Sequence, residues 1–240
     1  MKLIVCTPTK NRRWSYAFSK ACMDAQVLQP ALWIVLDNSD TPENDWSPAK
    51  ENPLVYYETV TEVKPIGWLR NRCLDLALER GGDYIAFWDD DDYYPPTRLS
   101  SGVEALEKNP NAGLSGSSIM YLLLTKENIL LQTGPFHENH ATAATWTVRR
   151  SIAETYRFQE DKERGEEVTF TKNWEIKVAQ IPAEQMIVVM GHSHNTVDKS
   201  DLAVRPHLYK ATVINDANGR MAMRVKWPVP WDLFRSTFSV

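Results

Sequence analysis

Four short apolar runs in the first half of the chain limit the folds that it can adopt. They are rich in branched and aromatic residues, which is typical of buried strands: LIVC at 3–6, LWIVL at 32–36, LVYY at 54–57 and YIAFW at 84–88. Between them, Tyr16–Leu28 and Trp68–Leu78 have the apolar spacing of helices. Strands that alternate with helices predict an α/β fold, in which a mainly parallel sheet is flanked by helices.

The pattern continues less regularly towards the C-terminus. Three further helices are predicted: one that has Pro96 in its first turn and runs to about Lys108, one over Arg150–Tyr156 and one over Glu166–Trp174. Short apolar runs between 113 and 148 predict strands added to the same sheet, and MIVVM at 186–190 predicts a last strand.

The C-terminal part of the chain has a weaker pattern. Periodicity fades after Thr196, and WPVPW at 227–231 predicts extended, non-helical chain. No stretch has the composition of a linker. We therefore predict one domain over residues 1–197 and a C-terminal extension over 198–240 that packs on the same domain.

Composition excludes several classes of protein. The 240 residues are 43% hydrophobic and carry a formal net charge of −4, so no global basic field attracts nucleic acid or an anionic membrane. Three cysteines without CxxC spacing argue against a disulfide framework or a zinc site and suit a reducing compartment. No apolar stretch approaches the length of a signal-peptide core or a membrane span. We expect a cytoplasmic protein without a membrane span.

The apolar run YIAFW leads directly into four consecutive aspartates, Asp89–Asp92. Ligands of parallel sheets bind beyond the carboxyl ends of the strands, where these carboxylates are expected. If the strand continues, Asp89 and Asp91 share one face, and Asp90 and Asp92 share the other. A carboxylate pair on one face suits Mg²⁺ or Mn²⁺ together with a phosphate-bearing ligand. A solvated acidic loop is the alternative interpretation.

Other motifs accompany the aspartates in a fixed order. They are Pro8-Thr9-x-Asn11-Arg12, Asp37-x-Ser39-Asp40, Gly67-x-x-Arg70-Asn71-x-x-Leu74-x-x-Ala77, Asp89-x-Asp91-Asp92, Glu166-Glu167 and His192-x-x-Asn195-Thr196. Over roughly residues 3–197, this order resembles the family 2 glycosyltransferases of the GT-A fold. The resemblance implies a Rossmann-like domain with a mixed, mainly parallel central sheet, and transfer of a sugar from a nucleoside-diphosphate sugar.

The resemblance also implies roles for individual residues. Asp37 corresponds to the residue that accepts a hydrogen bond from the nucleobase, and Arg70 to a cation near the leaving phosphate. The expected donor-binding residues are Pro8, Thr9, Asn11, Arg12, Asp37, Arg70, Asp89 and Asp90. The expected ligands of Mn²⁺ or Mg²⁺ are Asp91, Asp89, His192 and His194, with His192 in the position of the family's late histidine and His194 its close competitor.

Inverting transfer needs a general base within reach of the acceptor hydroxyl. The family supplies an aspartate after a glutamate, whereas this chain has Glu166-Glu167, so the resemblance assigns the base to Glu167 and leaves Glu166 as the alternative. A charged first turn of a helix is the structural alternative for both residues. His137 and His140, in the loop GPFHENHAT, are a second and lower-ranked candidate metal pair.

The resemblance favours UDP as the nucleotide and leaves the acceptor open as a glycan, a protein or a modified base in DNA, with the negative net charge against DNA. Two other functions remain. A nucleotidyltransferase also uses strand-end aspartates with Mg²⁺, but it would normally have a glycine-rich phosphate loop, and TPTKNRR contains no glycine. A non-catalytic nucleotide-sugar binder is compatible with the glutamate in the position of the base.

Overall fold

A seven-stranded, mixed sheet forms the centre of the molecule in a computed structural model that describes residues 1–162, 165–195, 199, 210–215 and 218–238. Its strands, in chain order, are β1 (Leu3–Thr9), β2 (Leu32–Asp37), β3 (Val55–Thr59), β4 (Tyr84–Phe87), β5 (Leu114–Gly116), β8 (Thr147–Arg149) and β9 (Val178–Gln180). Their spatial order is β3-β2-β1-β4-β8-β5-β9. The first four neighbours are parallel, and β8 is antiparallel to both β4 and β5.

Seven α-helices are described, and five of them pack against the sheet: α1 (Tyr16–Asp24), α2 (Ile66–Glu79), α3 (Arg98–Lys108), α4 (Arg150–Thr155) and α5 (Glu167–Phe170). Successive residues of a strand face opposite sides. In β1, Leu3 and Val5 therefore join the core under α1 and α3, while Ile4 and Cys6 join the core under α2 and α4. Burial on both faces explains why the strands read as continuous apolar runs.

A second sheet of four strands packs on the α1 and α3 side of the core. It consists of β6 (Met120–Leu124), β7 (Ile129–Thr133), β10 (Val188–Gly191) and β11 (Ala211–Asn215), in the order β10-β6-β7-β11. Leu123, Leu130 and Met190 of this sheet are buried in the same core as α1. The two remaining described helices, α6 (Gly219–Lys226) and α7 (Trp231–Phe238), add Met223 and Phe234 to it.

The structure confirms the predicted fold class and the four N-terminal strands, and corrects several details. Strands β6 and β7 belong to the second sheet rather than to the central one, and the predicted last strand, β10, pairs with β6 there. The helix predicted over Glu166–Trp174 is only the four residues of α5, and α3 begins at Arg98, after Pro96. WPVPW is extended only up to the start of α7 at Trp231. The predicted boundary at 197/198 and Thr196 lie outside the described residues.

All three cysteines are free and buried, as the cysteine spacing predicts. None of the helices in the described part of the chain has both the length and the apolar composition that crossing a bilayer would require.

Candidate active site

Three neighbouring parallel strands bring polar side chains to one edge of the central sheet. β1 ends at Thr9, β2 ends at Asp37, and Asp89 follows shortly after the end of β4 at Phe87. Because β1 lies between β2 and β4, the three carboxyl ends are adjacent. This edge is where α/β sheets bind their ligands.

Asp37 is fully buried, and protein groups orient its carboxylate. The backbone N–H of Ser39 donates to Oδ1 at 2.8 Å. The backbone N–H of Trp46 and the hydroxyl of Tyr57 donate to Oδ2 at 2.6 and 2.7 Å. A carboxylate has about four lone-pair sites, so capacity for one more donor remains.

Asn11 connects the loop after β1 to the loop after β2. It has a left-handed backbone, with φ of 57°, which asparagine tolerates better than most residues. Its backbone N–H donates to Oγ of Ser39 at 2.8 Å. Its side chain donates to the carboxylate of Asp40 at 2.6 Å and accepts from the backbone N–H of Asp40 at 2.9 Å. These bonds hold the loop after β1 against the loop that follows Asp37.

The four aspartates do not continue β4, so the predicted alternation of their side chains between the two faces of a strand is wrong. The strand ends at Phe87, and a turn brings Asp90 and Asp91 to the same cation. Nη1 of Arg12 lies 2.6 Å from Oδ1 of Asp90 and 2.8 Å from Oδ2 of Asp91. Asp92 turns away and accepts a backbone hydrogen bond from β10 at 2.8 Å. A turn lacks the two-residue periodicity of a strand.

Asp90, Asp91 and Asp92 are three buried carboxyl groups, and Arg12 pairs with two of them. Burial raises the pKa of Asp90 to about 7, against the opposing charge of Arg12. Burial also acts on Asp91, but Arg12 and a hydrogen bond with His192 lower the pKa of Asp91 to about 2. Burial and the charge of Asp91 raise the pKa of Asp92 well above its ordinary value. Binding of a further cation would favour the ionised forms of Asp90 and Asp92.

His192 follows β10 and contacts the aspartate run. Its Nε2 lies 3.0 Å from Oδ2 of Asp91, and the side-chain amide of Asn195 lies 3.4 Å from the same oxygen. The backbone N–H of His194 donates to Nδ1 of His192 at 3.2 Å, and the carbonyl of His194 accepts from Arg12 at 3.2 Å. His194 thus contacts this group through its backbone, and it is an exposed residue.

A second charged group forms around Arg70, which is buried against Phe87. Its Nε donates to Oε1 of Glu166 at 3.0 Å, and its Nη2 lies 3.3 Å from Oδ1 of Asp89. Nη1 of Arg70 is buried and has no hydrogen-bond partner among the described residues. Asp89 therefore pairs with Arg70, whereas Asp90 and Asp91 pair with Arg12.

Glu167, the first residue of α5, is the less buried of the two adjacent glutamates. Its Oε1 accepts from the backbone N–H of Ala143 at 3.5 Å, a long hydrogen bond. Burial and then the charge of Glu166 raise the pKa of Glu167 above its ordinary value, while Arg70 opposes them. Glu167 has no close ion pair among the described residues, and a half-buried carboxylate in that state is a suitable proton acceptor.

A cavity of about 340 Å³ opens beside the group around Arg12. It is lined by Pro8, Thr9, Lys10, Asn11, Arg12, Ile66, Leu69, Asp90 and His194. Five of the predicted donor-binding residues line it, namely Pro8, Thr9, Asn11, Arg12 and Asp90. Arg12 pairs with Asp90 and Asp91, and Lys10 lies 3.4 Å from Asp40, so the lining carries charges of both signs. Such a lining suits a polar ligand.

The sequence profile of "Glycosyl transferase family 2" matches residues 4–171, which include β1 to β8 and the motifs up to Glu167. The chain belongs to glycosyl transferase family 2. A search of curated protein sequences finds no match to it.

Two solved structures resemble this family 2 chain in fold. TarS 1–349 of S. aureus in complex with UDP-GlcNAc has a TM-score of 0.56 and 17% identity, over 87% of this chain and 65% of TarS 1–349. The mannosyltransferase PcManGT from Pyrobaculum calidifontis, in complex with GDP-Man and Mn²⁺, has a TM-score of 0.59 and 16% identity, over 81% of this chain and 58% of PcManGT. The present chain thus spans less than two thirds of either relative.

The sequence motifs missed several residues that contact the candidate site. The backbone N–H of Trp46 and the hydroxyl of Tyr57 hold Asp37, and the ring of Trp14 meets that of His192 edge to face at 5.0 Å. Tyr57 has a local signal, since it lies at the end of a predicted strand beside β2. Trp14 and Trp46 have none, because only the folded chain brings their loops to the site.

Proposed function

We propose that this chain is a glycosyltransferase that moves a sugar from a nucleoside-diphosphate sugar to an acceptor hydroxyl, with inversion at the anomeric carbon. The observation that carries this proposal is the convergence of Asp37, Arg12 and the aspartate run at the carboxyl edge of the parallel strands, beside a cavity. Membership of family 2 supports the reaction type.

The donor is proposed to lie along the loop after β1. Asp37 is buried and is not among the residues that line the cavity, so a uracil base would have to displace lining side chains for its imide N–H to reach the remaining lone pair of Asp37. Pro8, Thr9 and Asn11 would form the adjoining wall. We propose UDP as the nucleotide. The fold is shared with TarS, whose structure holds UDP-GlcNAc, and with PcManGT, whose structure holds GDP-Man and Mn²⁺.

A divalent cation, Mn²⁺ or Mg²⁺, is proposed to accompany the diphosphate. Among the described residues, no three His, Cys, Asp or Glu side chains are grouped closely enough to hold a metal ion by themselves. Asp91 and His192 nevertheless offer an oxygen and a nitrogen donor 3.0 Å apart, and Asp89 is the most exposed aspartate of the run. This donor set fits an ion whose remaining ligands are phosphate oxygens and water. The bound ion would offset charge on the leaving diphosphate.

Glu167 is proposed as the general base. An acceptor hydroxyl attacks the anomeric carbon, the bond to the diphosphate breaks, and the hydroxyl proton passes to the carboxylate of Glu167. Glu166 is assigned a positioning role, because its carboxylate is committed to Arg70 at 3.0 Å. Arg70 in turn holds Asp89, and its Nη1, which has no hydrogen-bond partner among the described residues, would face the developing negative charge.

The experiment is a nucleotide-release assay on the purified full chain. UDP-glucose, UDP-galactose, UDP-GlcNAc and GDP-mannose are supplied in turn, with Mn²⁺, with Mg²⁺ and with EDTA. We expect release of UDP from one UDP-sugar that depends on the metal ion. No release from any donor, with tight nucleotide binding, would indicate a non-catalytic binder. Pyrophosphate release from UTP and a sugar phosphate would indicate a nucleotidyltransferase.

Asp91→Ala tests the proposed metal site in a separate binding measurement. We expect it to abolish Mn²⁺-dependent binding of UDP in calorimetric titrations, because the ionised carboxylate at the cation site is lost. Asp24→Ala, which removes an exposed carboxylate from α1, serves as the control and should bind as the unmodified chain does. Unchanged UDP affinity in Asp91→Ala with Mn²⁺ present would contradict the assignment of Asp91.

A further inference from the structure

Three rings outside the donor site form a cluster on the loop between β7 and β8 and on the turn after α5. The rings are those of His137, His140 and Trp174, called the ring cluster below. His140 lies 4.7 Å from Trp174 between ring centroids, and His137 lies 5.6 Å from each of the other two. His137 is exposed and the other two are half-buried, so the cluster opens to solvent.

The backbone on both sides of the ring cluster is held in place. The side-chain amide of Gln180 donates to the carbonyls of Glu138 and His140 at 2.8 Å each. Trp174 has a φ of 67° and is the last of three consecutive residues in the left-handed region. Such a backbone is uncommon for a tryptophan and persists only where surrounding structure holds it, often at functional sites.

His140 contains an unsatisfied polar atom within this cluster. Its Nδ1 is buried and has no hydrogen-bond partner among the described residues. Burial, then the nearby His137 and Lys210, lower the pKa of His140 to about 4, so the ring is neutral at neutral pH. Buried polar atoms are nearly always paired. A ligand hydroxyl would supply the missing partner.

The ring cluster belongs to the two segments that surround Glu167. His140 lies three residues before Ala143, whose N–H donates to Oε1 of Glu167 at 3.5 Å. Trp174 follows α5, the helix that Glu167 begins, and it packs on the same core as Phe170 of that helix. The donor-side groups, by contrast, lie on the loops after β1, β2 and β4.

We propose that the ring cluster binds a saccharide unit of the acceptor, which makes the acceptor a glycan. The inference rests on the proposed function. The apolar C–H face of a sugar packs on aromatic rings, and its hydroxyls pair with ring nitrogens. Nucleic acid also stacks on aromatic rings, but it needs a positively charged groove. The net charge of the chain is −4, which does not favour nucleic acid. Beside the cluster, Lys210 contacts the ring of Phe136, and a single lysine does not make a positively charged groove.

The test measures saccharide binding by saturation-transfer NMR. The full chain is mixed with methyl glycosides of glucose, galactose, mannose and GlcNAc, and with their short oligosaccharides. Two variants act on the cluster: His140→Phe keeps a ring but removes Nδ1, and His137→Ala removes the exposed ring. Tyr56→Ala, which removes a half-buried ring on β3 at the other edge of the central sheet, is the control. The same proteins are assayed with the bound saccharide as acceptor.

We expect one saccharide class to bind, and both cluster variants to weaken binding and raise the acceptor KM by about tenfold. The donor KM should stay within about twofold, since the donor loops and the cluster share no hydrogen-bond partner among the described residues. Unaltered saccharide binding in His140→Phe and His137→Ala would overturn the proposal. So would binding of DNA or an unglycosylated peptide, but of no saccharide, by the unmodified chain. Saccharide binding without any nucleotide release would overturn the proposed function and leave this site standing.

Discussion

At the scale of single residues, Glu166 and Glu167 have the same side chain and different environments. Glu166 is 4% exposed and bonded to Arg70, while Glu167 is half-buried, with a raised pKa and one long backbone contact. We expect Glu167→Gln to lower kcat by about 10²–10⁴-fold with little change in donor KM, because only the proton acceptor is lost. Steady-state kinetics with donor and acceptor varied separately provide the measurement.

The control for this prediction is Glu166→Gln. It weakens the partner of a buried arginine, so it should lower the melting temperature and the donor affinity more than Glu167→Gln does. If Glu166→Gln instead removes turnover in a fully stable protein, the two glutamates have exchanged roles.

The pH dependence of transfer follows from the same carboxylate. Glu167 must be ionised to accept a proton, and burial and Glu166 raise its pKa in the folded protein. The rate should therefore fall as the pH drops through this raised pKa, at a higher pH than for an ordinary glutamate. Glu166→Gln removes a neighbouring negative charge and should move this acid limb to lower pH. The measurement is the profile of kcat against pH for the unmodified chain and for Glu166→Gln. A shift of the acid limb to higher pH in Glu166→Gln would contradict the assignment of Glu167 as the base.

The two histidines after β10 provide a third residue-scale prediction. Nε2 of His192 lies 3.0 Å from Asp91, whereas His194 is exposed and meets the site through its backbone. His192→Ala should raise the Mn²⁺ concentration for half-maximal nucleotide release by about tenfold or more, and His194→Ala by clearly less. The measurement is nucleotide release by the two variants as Mn²⁺ is titrated. The reverse order would make His194 the ligand.

The sequence predicts the edge of the site better than the pairings within it. The polar residues that follow the predicted strands at 3–6 and 32–36 identify the edge, because parallel strands share one carboxyl side. Which aspartate meets which arginine depends on the turn after Phe87 and on two loops distant in sequence. Local patterns contain no information on such long-range contacts.

At the scale of elements, strands buried on both faces were the most predictable feature. β1, β2 and β4 are apolar on both sides and lie close to the predicted positions. The second sheet was not predictable in this way, since β6 and β10 are apolar runs like the others. Their sheet depends on pairing between residues such as Tyr121 and Val188, which are far apart in sequence.

Helix ends were less predictable than strands. α5 ends at Phe170 because the three residues from Lys172 onwards have left-handed backbone conformations, which cannot continue an α-helix. None of them is a glycine or a proline, so the sequence lacks the usual stop signal there. α7 was hidden by the two prolines of WPVPW. Its signal was nevertheless present, because Trp231, Phe234 and Phe238 have the spacing of one helical face.

Helix α2 depends on a close approach at Gly67. A Cβ at this position would lie 2.0 Å from the carbonyl oxygen of Gln159, which is backbone and cannot rotate away. Gly67→Ala should therefore displace the segment that leads to Glu166, costing about 1–3 kcal/mol of unfolding free energy and most of the activity. Gly81→Ala meets no atom but has a φ of 74°, so it should cost about 1–2 kcal/mol and keep activity. Urea denaturation and nucleotide release compare the two, and full activity of Gly67→Ala would contradict this account.

At the scale of the whole molecule, the residues after the family profile complete the core rather than forming a tail. β11 pairs with β7, and α6 and α7 bury Met223, Phe234 and Phe238 in the core that contains α1. Phe238 also lies 5.6 Å from the ring of His192. We therefore propose that residues 198–240 extend the domain of residues 1–197, with Phe238 packing against His192.

Phe234→Ala tests whether this C-terminal part folds together with the rest. Phe234 is fully buried and lies 6.2 Å from Phe18 of α1, so its truncation should cost about 3–5 kcal/mol. If the chain is one cooperative unit, calorimetry will show a single transition at a lower temperature, and nucleotide release will be lost at that same temperature. Met221→Ala, on the exposed side of α6, is the control and should change stability by less than about 0.5 kcal/mol. A separate early transition in Phe234→Ala, with nucleotide release intact above it, would mean that the extension unfolds independently and that the site does not need it.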